Sequence, residues 1–112
     1  MKNMKKEDVN QTLKKIDMLA TELWQQKDIY DEIPKINYTL GEIYKDLIIK
    51  IKKYNITEIK IDDLIQQLRD LKRGLENEDT VLLADTFNYK VYRTVEMYGQ
   101  IIEIEEEESE II

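Results

Sequence analysis

The sequence predicts an all-α protein, an antiparallel bundle of four helices. Three observations predict this fold: four segments of helical apolar periodicity, only three glycines and one proline, and a charged fraction of 37%. Apolar residues at steps of three and four share one helical face, and short connections favour antiparallel neighbours. The alternative is a three-helix core whose first helix is exchanged onto a second copy. The 112 residues predict one domain.

The first helix is predicted from about Asp8 to Lys27, because Asp8 can cap a helix start. Polar residues fill one side of this segment and apolar residues the other, so the helix is amphipathic and needs a partner. Its apolar face consists of Val9, Leu13, Ile16, Leu19, Ala20, Leu23 and Trp24.

The second helix is predicted to begin near residues 30–33 and to end near Tyr54. Pro34 sets the beginning, because proline is tolerated in the first turn of a helix and disrupts its interior. Lys52 and Lys53 indicate its end, because positively charged side chains stabilise the negative C-terminal end of the helix dipole. A kinked helix that continues from the first one is the minor alternative.

The third helix is predicted from about Ile61 to Glu76, after a connector of sequence N-I-T-E-I-K. Asp62 and Asp63 favour its first turn, because carboxylates stabilise the positive end of the helix dipole. Gly74 is expected to loosen its last turn. Its apolar face consists of Ile61, Leu64, Ile65, Leu68, Leu71 and Leu75.

The fourth helix, from about Asp79 to Ile102, carries the densest apolar pattern and predicts a central element. Asn77, Glu78 and Asp79 offer capping side chains, and the wide apolar face suits contact with two or three other helices. The face is built on Ala84, Phe87, Val91, Val95, Tyr98 and Ile102. Neighbouring acids at a helix end oppose the dipole. We therefore predict a bundle domain over residues 1–104 and a disordered acidic tail over residues 105–112.

A lane of polar residues runs beside the apolar face of the fourth helix. We define this polar lane as Asp85, Asn88, Tyr89, Tyr92 and Glu96. At 3.6 residues per turn Asn88 falls inside the apolar face, where a buried amide needs a hydrogen-bond partner and can set helix register. We predict that side chains of the polar lane form structural hydrogen bonds to groups on a neighbouring helix. An interface contact and a ligand site are the weaker alternatives.

The composition excludes several kinds of catalytic site. The chain contains neither cysteine nor histidine, which excludes disulfides, thiolate nucleophiles, cysteine zinc sites and di-iron sites built on Glu-x-x-His. Glu42 and Asp46, four residues apart, are carboxylates of the kind that hold magnesium, but such a site needs several carboxylates from two helices. We interpret the pair as solvated surface, and we predict no enzyme, no cofactor and no metal.

Charge and hydropathy bound the location and the partners. No apolar run approaches the roughly 18 residues of a membrane span, and no apolar block follows the N-terminal lysines, so we expect a cytoplasmic protein that does not enter a membrane. A net charge of −7 without a basic face argues against nucleic acid. A basic or neutral protein partner, or self-association, fits better. Tyr30, Tyr38 and Tyr89 fall at the edges of the apolar faces or outside them. We interpret them as half-buried tyrosines; an interface, where exposed aromatic residues are enriched, is the alternative.

Residues 76–89 read E-N-E-D-T-V-L-L-A-D-T-F-N-Y. They resemble small uncharacterised bacterial helical proteins with an E-N-x-D-x-V-L-L-A-D-x-x-x-Y-E segment before the last helix, and the similarity extends over residues 17–102. Lys90 stands where those proteins carry an acid. The resemblance implies a helical bundle and no known activity. In size, acidity and helicity the chain is also similar to flagellar export chaperones of the four-helix kind, an analogy of fold alone.

These patterns predict a non-enzymatic, cytoplasmic helical bundle that binds another protein as an adaptor or chaperone. The alternative is a small structural or regulatory homodimer. A magnesium-dependent hydrolase that uses carboxylates ranks third, because no motif in the chain specifies a reaction.

Overall fold

The structure, a computed structural model, describes residues 4–111, without the side chain of Ile111. This part of the chain contains helices and no strand, so the predicted all-α bundle is confirmed. The helices are α1 (Lys6–Trp24), α2 (Ile33–Tyr54), α3 (Ile61–Glu76), α4 (Thr80–Asp85), a π-helical segment (Thr86–Val91) and α5 (Tyr92–Ile111). The last three are continuous and form one long C-terminal helix, so the bundle has four helices.

Local chemistry fixes where the helices begin and end. Pro34 lies in the first turn of α2, as predicted, and the Asp79 carboxylate accepts a hydrogen bond from the Leu82 amide at 3.0 Å to cap α4. The first helix differs from its prediction at both ends. Asp8 lies inside α1 and accepts from the Lys5 amide at 3.0 Å, and the helix ends at Trp24 before Gln26 adopts a φ of 58°.

Two contacts along each helix show its direction. α1 and α3 are antiparallel to the C-terminal helix, since Lys6 meets Glu106 while Val9 lies beside Gly99, and Gln67 meets Thr94 while Gly74 lies beside Leu83. α2 is parallel to it, since Asp46 meets Tyr98 and Tyr54 meets Glu105, which gives the up-down-up-down order. α1 packs on the C-terminal helix of its own chain along most of its length.

The C-terminal helix lies at the centre of the bundle and contacts all three other helices, which confirms its predicted role. Phe87, Val91, Val95 and Tyr98 on this helix are fully buried. Trp24, which the pattern placed on the apolar face of the first helix, is 51% exposed because it is the last residue of α1.

The π-helical segment changes which residues of the C-terminal helix face the core. In a π-helix the backbone hydrogen bonds run from residue i to i+5, so each turn is wider than in an α-helix. Between buried Phe87 and Val91 the wide turn leaves Asn88, Tyr89 and Lys90 exposed. The prediction that Asn88 lies inside the apolar face was wrong, because it assumed 3.6 residues per turn throughout.

The acidic end of the chain also differs from its prediction. α5 continues to Ile111 instead of losing order after Ile104; Ile112 lies outside the described residues. Bases and amide groups of distant helices hold the carboxylates: Glu106 accepts from the Lys6 amide at 3.0 Å, and Glu103 lies 3.6 Å from the Lys6 ammonium. These contacts oppose the repulsion between neighbouring acids on which the prediction relied.

Candidate functional site

A long groove separates α1 from α2. α1 approaches the C-terminal helix closely over most of its length but approaches α2 closely only at a few points, which leaves a cavity of about 730 Å³ between them. Buried Ile36, Tyr98 and Ile102 form an apolar floor. We call this cavity the α1–α2 groove.

Charged side chains and one aromatic ring line the rim of the α1–α2 groove. Lys15 and Asp8 stand on the α1 side, and Lys35 and Glu42 on the α2 side. Tyr38 on α2 is 74% exposed beside them. Tyr38 therefore lies outside the apolar face, and the interpretation of it as a half-buried tyrosine was wrong, so an aromatic side chain is available at this rim.

An acid–base network closes one end of the α1–α2 groove. The Lys50 ammonium lies 2.8 Å from Glu105 and 3.4 Å from Asp46. The Tyr54 hydroxyl donates to Glu105 at 2.5 Å, and the Tyr98 hydroxyl donates to Asp46 at 2.6 Å. These five side chains bind α2 to α5, and we call them the Lys50 network.

The Lys50 network favours the charged forms of Lys50 and Glu105 and the neutral form of Tyr98 near neutral pH. Burial alone would lower the pKa of Lys50, but Glu105 and Asp46 outweigh it and raise that pKa above its ordinary value. Burial alone would raise the pKa of Glu105, but Lys50 and Tyr54 outweigh it and lower that pKa. Burial and the bond to Asp46 raise the pKa of Tyr98. An ammonium ion is therefore held between two carboxylates, beside neutral phenols.

Glu105→Gln is expected to lower the free energy of unfolding at pH 7 by about 1 kcal/mol, the scale of a well-placed surface ion pair. The folded pKa of Glu105 lies below its ordinary value of 4.5, so the stabilisation is complete above that pH and is lost as pH falls through the folded pKa. Urea unfolding of both proteins from pH 7 to pH 3 should show the difference shrinking below pH 4.5. Exposed Glu107→Gln is the matched control; a difference independent of pH would contradict the ion pair.

The structure does not join the polar lane into a buried network. Asp85 and Tyr92 are half-buried, whereas Asn88, Tyr89 and Glu96 are exposed. Within residues 4–111 no hydrogen bond connects the Asp85 carboxylate to either tyrosine hydroxyl. Tyr89 is 67% exposed, so it lies outside the apolar face, and the interpretation of it as a half-buried tyrosine was wrong.

A buried polar cluster lies between α3 and the C-terminal helix, and the sequence did not reveal it. The Gln67 Oε1 accepts from the Tyr44 hydroxyl at 2.5 Å and from the Thr94 hydroxyl at 3.2 Å. The buried face of α3 runs through Leu64, Gln67 and Leu71, at steps of three and four. That spacing was the available signal, but a face defined by apolar residues alone does not include a glutamine.

The carboxylates considered for magnesium do not converge. Glu42 and Asp46 both line the α1–α2 groove, but Asp46 is engaged by Tyr98 and Lys50. In the described part of the chain no three carboxylates come together in a group that could hold a metal ion. Over the same residues, none of the helices has the length and apolar character needed to cross a membrane.

Comparison with models of protein families, with curated proteins and with solved structures found no match for this chain. The resemblance of residues 76–89 to small bacterial helical proteins therefore remains a prediction. Any functional conclusion depends on the grooves and on the charges that line them.

Proposed function

We propose that this chain is a cytoplasmic, non-enzymatic protein that binds another protein, and that the α1–α2 groove receives an amphipathic helix of the partner. The observation that carries the proposal is the groove itself, which has an apolar floor and charged rims. Amphipathic helices bind in such grooves with the apolar face inward and polar residues at the rims. Tyr38 at the rim adds an exposed aromatic side chain of the kind enriched at interfaces.

The length of the α1–α2 groove favours a helix over a compact small molecule. The α2 residues that line it run from Lys35 to Lys50, which corresponds to about 22 Å at 1.5 Å per residue. A helix of about four turns has this length. The loose packing of α1 against α2 leaves the side open along which such a helix would enter.

The charges favour a partner helix that carries lysine or arginine beside its apolar face. Asp8, Glu42, Asp46 and Glu105 line the groove, against the three lysines Lys15, Lys35 and Lys50. Lys50 and its two partners, Asp46 and Glu105, together carry one net negative charge. With a net charge of −7 on the whole chain, attraction to a basic partner accelerates encounter.

A defined probe tests this proposal: a synthetic amphipathic helix of leucine and lysine, about 14 residues long, labelled for fluorescence anisotropy. We expect saturable binding to the wild type and at least about tenfold weaker binding of the same helix with glutamate in place of lysine. Glu42→Lys, on the groove rim, should weaken binding of the lysine helix, while Glu96→Lys, exposed outside the groove, should not. Equal losses in the two variants would contradict the groove as the site.

Photo-crosslinking identifies the natural occupant. A photoreactive residue in place of exposed Tyr38, on the rim, should crosslink a partner protein in cells. The matched control replaces Met18, which is 51% exposed on α1 and does not line the groove, and should give no such product. A Tyr38 crosslink to a second copy of this chain would replace the proposal with the homodimer, and crosslinks to one protein from both positions would overturn the assignment of the groove.

A further inference from the structure

A second, smaller groove lies between the beginning of α3 and the π-helical segment. Its volume is about 370 Å³, within the range of pockets that bind small ligands. We call it the π-segment groove and define it by Lys60, Gln67, Tyr89, Lys90, Arg93 and Thr94. We propose that it binds a small ligand with an oxyanion, phosphate or carboxylate, carried on an apolar body.

The π-helical segment itself forms one wall of this groove. Tyr89 and Lys90 are exposed in this segment, between buried Phe87 and Val91, and both line the groove. Single π-helical turns within α-helices occur frequently at functional sites, because they re-aim side chains at a cost in hydrogen-bond geometry. In this chain the segment presents a phenol and an ammonium group to the groove.

Gln67 supplies a side-chain hydrogen-bond donor to the π-segment groove. Its side chain is 8% exposed, and its Oε1 is occupied by the hydroxyls of Tyr44 and Thr94. Burial raises the pKa of Tyr44, so its hydroxyl keeps its proton and donates. This bond fixes the orientation of the amide, with oxygen toward Tyr44 and nitrogen away from it.

The Gln67 Nε2 is free to donate to a ligand. Within residues 4–111 it has no hydrogen-bond partner, and the only fully buried side-chain polar atom there without a partner is the Asn37 Oδ1. The Gln67 Nε2 is therefore reached from accessible space, and Gln67 lines the π-segment groove. Because solvent reaches this nitrogen, an entering acceptor replaces water as its hydrogen-bond partner, and a charged acceptor forms the stronger bond.

The charges on the walls select an oxyanion as that acceptor. Lys60, Lys90 and Arg93 line the π-segment groove against Glu58 and Asp63, an excess of positive charge in a chain of net charge −7. Lys90 lies 4.0 Å from Asp70, whereas Lys60 and Arg93 form no ion pair within the described residues. Guanidinium and ammonium donors bind phosphate and carboxylate with strong, charge-assisted hydrogen bonds.

Apolar side chains define the remainder of the ligand. Ile59, Leu64 and Met97 line the same groove beside the exposed ring of Tyr89. A bare inorganic ion would leave these side chains uncovered, whereas an aromatic or aliphatic body attached to the oxyanion would remove them from water.

Titration of the full chain with phenyl phosphate, inorganic phosphate and benzoate, followed by NMR, tests the proposal. We expect phenyl phosphate to bind with a Kd of about 1 mM or tighter and to shift the side-chain amide resonance of Gln67. Binding of benzoate more tightly than phenyl phosphate would assign the oxyanion as a carboxylate, and the reverse order would assign a phosphate. Inorganic phosphate that binds as tightly as phenyl phosphate would overturn the apolar part of the proposal.

Charge removal on one wall supplies the control. Arg93→Gln should weaken phenyl phosphate binding by about tenfold or more, because it removes a charge-assisted contact. Arg69→Gln removes the same charge from an exposed position of α3 outside the groove and should leave binding unchanged. Equal effects of the two variants, or no shift of the Gln67 amide at saturation, would overturn the site. Gln67→Met is close in shape to the wild type but lacks the amide. It should weaken phenyl phosphate binding while the circular dichroism spectrum stays unchanged. If this variant does not fold, the comparison of Arg93→Gln with Arg69→Gln tests the site.

Discussion

Phe87→Ala is expected to lower the free energy of unfolding by about 3–5 kcal/mol, the usual cost of deleting a buried phenylalanine ring. Phe87 is fully buried and lies in the π-helical segment, at the centre of the helix that contacts all three others. Removal of the ring leaves a cavity, and several helices would have to shift before it closed. Relaxation of the structure can therefore recover little of the lost free energy of unfolding. Chemical denaturation measures the change.

The neighbouring residue Tyr89 is the matched control for Phe87. It lies two positions further along the same π-helical segment but is 67% exposed, so Tyr89→Ala should change stability by less than about 0.5 kcal/mol. Leu68→Ala should cost less than Phe87→Ala, because Leu68 is only partly buried. A loss below about 1 kcal/mol for Phe87→Ala would contradict the register that the π-helical segment gives the core.

Gly74→Leu is expected to destabilise the bundle by about 1–3 kcal/mol, the cost of overpacking a filled core. A Cβ at Gly74 would lie 2.8 Å from the Leu83 Cγ and 2.9 Å from its Cδ2. Leu83 is fully buried, so it has little room to yield. From the sequence, Gly74 was expected to loosen the end of α3. In the structure, the missing side chain of Gly74 allows α3 to approach α4 closely.

Gly41→Leu is the control that separates crowding from helix propensity. A Cβ at Gly41 would meet no atom within 4 Å, so leucine there should stabilise α2 by about 0.5–1 kcal/mol, because glycine is a poor helix former. Thermal unfolding should therefore show opposite signs for the two variants. The same sign in both would mean that α3 and α4 do not approach each other at Gly74.

The parts of the fold that the sequence predicted are those decided by local chemistry. Pro34 marks the beginning of α2, and Asp62 with Asp63 marks that of α3, because these side chains act on the backbone of their own helix. The pattern of the fourth helix predicted its central position. Each of these features depends on residues within one or two turns, which is the range over which a sequence pattern can be interpreted directly.

The parts that the sequence did not predict depend on distant residues or on a change of helical period. Asn88 was misplaced because a π-helical turn carries no compositional signal that distinguishes it from an α-helical turn. Glu105 was assigned to a disordered tail because its partners, Lys50 and Tyr54, lie about fifty positions earlier. Gln67 and Thr94 share one hydrogen bond across 27 positions, so neither residue alone indicates the cluster.

The pairing of α1 with the C-terminal helix has a consequence for how the chain folds during synthesis. Of the four helices, α1 is made before the others, and the face that carries Ile16, Leu19 and Leu23 is buried chiefly by the fourth helix. Contacts between helices that are far apart in sequence require closure of long loops, which slows folding. The growing polypeptide therefore keeps the apolar face of α1 without its main partner until the C-terminal helix has emerged, and during that interval α1 is the segment most exposed to aggregation or to capture by chaperones.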